Sequence, residues 1–378
     1  MKMVALGEVA HVERAGVDPR ALDPDTPYLG LEHIERGGRI VGCGTVGTAE
    51  LTSTKFSFTT EHVLFGKLRP YLGKIARPPF SGVCSTDILP IRPGEGLDRN
   101  YLVHYLRQPT VIGLAASQAT GANLPRLSPR VLEAFEIPLP PLPEQRRIAA
   151  ILDNADALRT KRRHTLALLD DLTKSVFHDM FGELTQWPIH KFGDVCETRL
   201  GKMLDAKQQT GEHQRPYLRN ANVQWFRFDL DDVLSMDFDA KSRALLQLQP
   251  WDLLICEGGE PGRCAVWRGQ IAECYYQKAL HRARPNTRLA HPEFIAHQMW
   301  HLAHSGALSD YVTSATIAHL TGEKLKQLPL AVPPLPLQKE FATRVAAINA
   351  ERTAAQRSLD TLDELFASLQ SRAFSGQL

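Results

Sequence analysis

The sequence predicts an α+β fold: two mixed α/β heads separated by two long helices that pack as an antiparallel coiled coil, the whole forming a pseudo-twofold internal repeat. Three observations predict it. Pro141-Leu142-Pro143-Glu144-Gln145 recurs as Pro334-Leu335-Pro336-Leu337-Gln338, 193 residues later (145 to 338). Leu127, Leu132 and Pro140 fall on Leu320, Leu325 and Pro333 at the same offset. Each copy opens a long run whose apolar residues repeat near 3.5 residues, the period of a helix seam. A weaker echo, Leu6-Gly7-Glu8-Val9 against Phe192-Gly193-Asp194-Val195, opens each half. Two units make a duplication rather than a solenoid.

The first head spans residues 1–137. Val63-Leu64-Phe65 and Ile88-Leu89-Pro90-Ile91 read as buried strands between Gly and Pro punctuation, and residues 101–106 as a helix with Pro109 beyond it. Residues 138–182 are a Pro-rich lead-in and the first spacer helix, from residue 144 to about 181. Proline is tolerated at a helix start, and Gly182 is a suitable stop. Its expected seam is Ile148, Ile151, Ala155, Leu158, Leu169, Leu172 and Val176, interrupted by Arg162 and Thr165 and widened by Leu152 and Leu166. The second head spans 183–330. Residues 251–256 read as a strand, 258–262 as a turn, and Ala265-Val266-Trp267 as the partner strand. Residues 331–378 repeat the lead-in and close with a helix from about 337 to 371. Its seam is Phe341, Val345, Ile348, Ala355, Leu359, Leu362, Phe366 and Leu369, with Arg352 in the phase assigned to Arg162.

Neither helix can leave its stripe in water, because exposed apolar surface costs roughly 25 cal/mol per Å2. Packing the helices on each other solves this, and the chain path then makes them antiparallel. Roughly 38 residues at 1.5 Å each give a spacer of about 57 Å, the axial length of about 17 base pairs.

At 378 residues the chain is long enough for two or three domains, and 43% hydrophobic residues suffice for real cores. Net charge is only +2. Residues 1–137 carry 15 Lys/Arg against 14 Asp/Glu, and residues 183–330 carry 17 of each, so neither half is a basic arm. Binding to DNA would use a local positive face. The six cysteines contain no C-x-x-C pair, which argues against zinc and suits a reducing cytoplasm. The N-terminal residues lack an apolar signal-peptide core, and no run approaches a membrane span.

The most basic stretch, residues 65–77, carries Lys67, Arg69, Lys74 and Arg77 and no acid, with Tyr71 among them. Arg and Lys beside glycine turns suit phosphate contact and guanine readout; a solvated hairpin edge is the bland alternative. In the second head, residues 258–263, ending in Arg263, sit at the corresponding place. Tyr276, Gln277 and Lys278 add stacking, amide and cationic groups, and ordinary strand surface remains the alternative. Residues 119–126, with Thr120 and Asn123, and residues 314–319 occupy matching places before each exit, either facing a ligand or forming turns.

Catalytic signatures fail. Gly42-Cys43-Gly44-Thr45-Val46-Gly47 matches a dinucleotide pattern, but a poor helix follows. Arg77-Pro78-Pro79-Phe80 puts Arg where an amino-methyltransferase motif needs Asn or Asp. Asp239-Ala240-Lys241 is only a three-residue nuclease fragment. No Walker A sequence, metal-spaced histidine cluster or cofactor motif is present. Pro138-Leu139-Pro140-Pro141 has the form of an SH3 ligand, but its repetition before each helix favours a structural role.

On the duplicated Pro-Leu-Pro-x-Gln helix starts, the long helices behind them and residues 65–72, the whole chain resembles the specificity subunit of type I restriction–modification systems. The resemblance implies two target recognition domains on an antiparallel coiled coil, each reading half of a split double-stranded DNA site. It implies two methylation subunits and the restriction (motor-nuclease) subunits as partners, no membrane, no cofactor and no catalytic centre. The family's base-contacting residues do not transfer, so the candidate contacts above rest on local chemistry. A two-headed protein adaptor and an enzyme with its own nuclease or methyltransferase site are the competing readings. A flat salt dependence of DNA affinity would favour the adaptor.

Overall fold

The computed structural model describes residues 2–204, 210–312 and 318–378. It divides into two compact units, residues 1–164 with 355–378, and residues 165–354. Each contains one head together with part of each long helix.

In the first unit, strands Ala10–Val12, Ile88–Pro93, Val63–Gly66 and Ile75–Ala76 form an antiparallel sheet in that spatial order. A second sheet orders Gly16–Val17, Lys55–Phe58, Gly82–Cys84, Pro27–Leu29 and Gly44–Thr45, with one parallel pair, Tyr28 to Val83. Met3–Ala5 pairs antiparallel with Glu136–Pro138, so the chain enters and leaves this head side by side. The second unit repeats the first sheet with Cys196–Leu200, Leu280–Pro285, Leu253–Cys256 and Cys264–Val266 in the same spatial pattern. Ile189–Lys191 and Pro329–Ala331 close this head as the terminal pair does the other. The central strands are apolar runs without alternation, as burial on both faces requires: all four residues of Val63–Gly66 and of Leu253–Cys256 are buried.

The glycine-rich run at 42–47 gives the short strand Gly44–Thr45 followed by a turn, with no helix to receive a dinucleotide phosphate. Asp239 caps the helix Ala240–Leu246 through the Ser242 amide and pairs with Lys202, a structural role.

The long helices run Leu142–Phe181 and Leu335–Ser375. Gly182 ends the first, at φ +56°, with its amide on the His178 carbonyl at 2.7 Å. In the first unit Arg159 Nε lies 2.5 Å from Asp363 and Arg147 reaches the Leu378 carbonyl, so these helical segments run antiparallel. In the second unit Arg352 meets Asp170 at 3.2 Å and Phe181 packs on Phe341 with ring centroids 5.4 Å apart, again antiparallel.

The seam of the first helix differs in phase from the sequence expectation. Ile148, Leu152, Ala155, Arg159, Arg162, Leu166, Leu169 and Thr173, in steps of four and three, are buried or half-buried. Leu158 and Leu172 face solvent, 52% and 46% exposed, and Ile151 is half-buried beside the stripe. An arginine causes the error. Arg159 takes the seam position next to Leu158, laying its guanidinium 4.3 Å over the Phe366 ring while pairing with Asp363. In the closing helix Val345 and Leu359 are buried, and Ile348, Leu362, Phe366 and Leu369 are half-buried, in the expected phase. The position matching Arg352 at the 193-residue offset is Arg159, not Arg162, and Asp170 matches Asp363.

Candidate nucleic-acid interface

The basic stretch of the first head is built as a turn stitched to a second loop. The chain leaves the buried strand at Gly66, where a Cβ would come within 3.1 Å of the Lys74 carbonyl oxygen. The Lys67 amide donates to the Asp87 carbonyl, and the Lys67 carbonyl accepts from the Leu127 amide, both at 2.9 Å. Leu68 bridges to Arg126, and the Arg69 amide donates to the Pro125 carbonyl at 2.7 Å. Arg69 itself is left-handed, at φ +49°. The second loop closes on itself through paired Thr120 and Arg126 backbone bonds, with Asn123 exposed at its tip. These bonds bring Lys67, Arg69, Tyr71, Thr120 and Asn123 into one loop cluster. Arg69, Tyr71, Thr120 and Asn123 are exposed and Lys67 is half-buried.

Asp87, whose carbonyl accepts from the Lys67 amide, has its carboxylate occupied by a two-bond pair with Arg126. No carboxylate pairs with Lys67 or Arg69 among the described residues. Lys74 donates its ammonium to the Leu31 carbonyl at 2.7 Å, which leaves it bracing the turn.

Arg77 departs from the expected set. Its guanidinium meets Asp153 on the first long helix at 2.9 and 3.1 Å, and Asp153 also accepts from His104 at 2.8 Å. Burial pushes the Asp153 carboxyl up, but the His104 and Arg77 hydrogen bonds and the Arg77 charge outweigh it and hold the carboxyl at about 2. Arg77 thus ties head to helix.

The second head repeats the stitching. The Leu320 amide donates to the Glu257 carbonyl at 2.7 Å, and Gly258 bridges to His319. Gly259 and Gly262 take the left-handed region at φ +77° and +89°. Arg263 is held by Glu260 at 3.0 Å and by the Asn220 carbonyl at 3.1 Å, which leaves its side chain 18% exposed. The Glu257 amide binds the Ala279 carbonyl, which draws the 277–279 turn to this loop. Lys278 is exposed and Gln277 half-buried. Gly201 lets the chain pass this turn, since a Cβ there would lie 2.3 Å from the Gln277 carbonyl oxygen.

Tyr276 corrects a second expectation. It is fully buried, with its hydroxyl donating to the Arg199 carbonyl at 3.3 Å, and burial pushes that hydroxyl's pKa up. Tyr275 and Tyr276 form a strand parallel to Tyr217–Leu218 whose two faces are both covered, so neither ring reaches a ligand. Of residues 314–319, 314–317 lie outside the described residues. His319 forms the bridge that corresponds to Arg126.

Sequence reasoning missed the left-handed Arg69, because the gapless alignment does not pair it with Gly259; only the shared loop bonds do. It also missed a cavity of about 290 Å3 inside the second unit, walled by Phe177, Trp225, Phe226 and Trp300. Among the described residues no group of three His, Cys, Asp or Glu is placed to hold a metal ion, and no helix is long and apolar enough to cross a membrane.

Known proteins similar to this chain include two curated relatives and a solved structure. The Escherichia coli type I restriction enzyme EcoDI specificity subunit is 33% identical over 171 residues, 43% of this chain and 38% of that protein. This match therefore spans well under half of the relative's length. The EcoKI specificity subunit of Escherichia coli K12 is 24% identical over 314 residues, covering 76% of this chain and 67% of that one. The solved S subunit of a type I restriction-modification system from M. genitalium shares the fold, with a TM-score of 0.62 at 13% identity over 99% of this chain and 96% of that chain. The family model for the type I restriction modification DNA specificity domain matches residues 1–168 and again 185–359, and the chain belongs to that family.

Proposed function

We propose that this chain is the DNA-reading, non-catalytic specificity subunit of a type I restriction–modification complex. Residues 1–137 and 183–330 are its two target recognition domains, and residues 138–182 and 331–378 its spacer. The observation that carries this reading is the stitched double loop found at the same node of both heads: Lys67 to Leu127 in one, Glu257 to Leu320 in the other. Different side chains stand on one repeated backbone frame, as two readers of unlike sequences require. Lys67, Arg69, Tyr71, Thr120 and Asn123 are the contacts in the first head, and Gln277 and Lys278 in the second, with Arg263 bracing the loop.

The helices act as an antiparallel coiled coil with pseudo-twofold character. The ion pairs Arg159–Asp363 and Arg352–Asp170 support this, because the 193-residue offset turns one into the other. The target is split and asymmetric, two unlike half-sequences around a fixed gap. Two methylation subunits and the motor-nuclease subunits are the partners in the cytoplasm. They supply the chemistry, and no cofactor belongs to this chain.

The test is selection from random-sequence DNA by the full chain assembled with its methylation subunit. Enrichment of two unlike half-sequences at one separation, with affinity falling steeply in salt, is the expected result. Equal binding to all sequences with a flat salt response would overturn the reading and favour a protein adaptor.

A further inference from the structure

Arg69 and Gly259 occupy one structural position. The residue two before each accepts from the exit loop's leucine, Leu127 onto Lys67 and Leu320 onto Glu257. The residue before each makes the isolated bridge, Leu68 to Arg126 and Gly258 to His319. Both then turn left-handed, at φ +49° and +77°. The frame demands this conformation, and in the second head glycine meets the demand without strain. The first head places an arginine there instead. Strained non-glycine residues persist where surrounding bonds over-determine them, as the Pro125 and Leu127 bonds do here, and they cluster at functional sites.

The side chain's surroundings point the same way. Many arginines of this head have partners: Arg39 with Glu35, Arg77 with Asp153, Arg92 with Glu13 and Glu61, Arg126 with Asp87. Arg99 and Arg107 donate to backbone carbonyls. Arg69 is exposed at the tip of the turn with no protein partner among the described residues, and Tyr71, 48% exposed, stands two residues away.

We propose that Arg69 is a specificity-determining residue that reads one guanine in the half-site of the first head, donating its two-pronged guanidinium to guanine N7 and O6 in the major groove. This rests on the DNA-reading function proposed above. Lysine at this place would keep the charge but lose the fork. Arg69 is exposed on this left-handed turn, whereas Gly259 gives the second head no side chain at this node.

The experiment uses the full chain assembled with its methylation subunit and the DNA site which that complex selects. Each guanine of the first half-site is replaced in turn by 7-deazaguanine, which removes the N7 acceptor, or by each other base. At one position the wild-type complex should lose affinity, with base replacement costing between about fivefold and about a hundredfold. Arg69→Gly, which suits the backbone and should melt no lower than wild type, should accept any base there while still discriminating in the second half-site. Arg69→Lys should lose most of the discrimination but less of the total affinity. The proposal is overturned if no guanine of the first half-site is sensitive, if Arg69→Gly keeps the wild-type preference, or if it weakens all sequences equally, as a phosphate contact would. A wild-type complex without sequence preference would overturn the underlying function as well, and the two failures are thereby told apart.

Discussion

The side-chain oxygen of Gln145 accepts the Asp98 amide at 2.8 Å, while Asp98 caps the helix Arg99–Leu106 through the Asn100 and Tyr101 amides. The same Gln145 donates to the Gly96 and Pro140 carbonyls at 2.9 and 2.8 Å, and it is completely buried. In the second unit Gln338 accepts from the His291 amide and donates to the Leu289 and Pro333 carbonyls. Every partner lies at the same 193-residue offset, and His291 starts the helix Pro292–His304 as Asp98 starts its own. The glutamine of each Pro-Leu-Pro-x-Gln motif therefore bolts the start of a long helix to the start of a head helix, which explains why an amide recurs there.

Gln145→Leu should take the hydrogen-bond partner from the Asp98 amide and from the Gly96 and Pro140 carbonyls, of which Pro140 is buried. Destabilisation of about 2–4 kcal/mol is expected, measured by urea unfolding of the variant against wild type. A loss below about 0.5 kcal/mol would mean that water or repacking satisfies these groups and the bolt is dispensable.

The corrected seam separates two leucines six residues apart. Leu152 is fully buried and Leu158 is 52% exposed. Leu152→Ala should cost about 2–5 kcal/mol, and Leu158→Ala should stay within about 0.5 kcal/mol. Equal losses in thermal or urea unfolding would restore the phase that the apolar pattern alone suggests.

Acid should loosen the two units at different pH. Asp153 is held at about 2, below an unfolded value near 4, so its contribution is full above about pH 4 and lost as pH falls toward 2. His297 is buried among Phe226, Phe177 and Phe341, and burial holds it at about 4, against an upward pull from its bond to the Glu293 carbonyl. A depressed histidine contributes fully above about pH 6.5 and loses that contribution as pH falls toward 4. Hydrogen exchange, corrected for intrinsic rates, should show residues 292–304 losing protection between about pH 6.5 and 4, before residues 99–106 do. Simultaneous loss would remove His297 from the account.

Replacing residues 1–137 with the first head of another specificity subunit should change one half-site and leave the other half and the gap intact, as methylation patterns would reveal. A change in both halves would contradict two independent readers.

Much of this was legible in the chain. The duplicated motif marked both helix starts, and the lengths of the long helices followed from their apolar period. Four features were not legible, each for a physical reason. The seam phase was masked because Arg159 fills a core position by laying its stem and guanidinium on Phe366, and hydropathy counts it as surface. Tyr276 was misplaced because a polar-tipped aromatic in a doubly covered strand looks identical to one on a surface. Arg77 was read as a ligand contact because its partner Asp153 lies 76 residues away. The left-handed turn at Arg69 left no local mark, since nothing in the residue type signals it, and only the loop bonds it shares with Gly259 show it.

The most direct test of the central claim is genome-wide methylation mapping in cells expressing this chain with its methylation subunit, against cells lacking the chain. A new motif of two unlike half-sequences separated by one fixed gap is expected. With expression and assembly verified, the absence of any new motif, or a single undivided one, would contradict that claim.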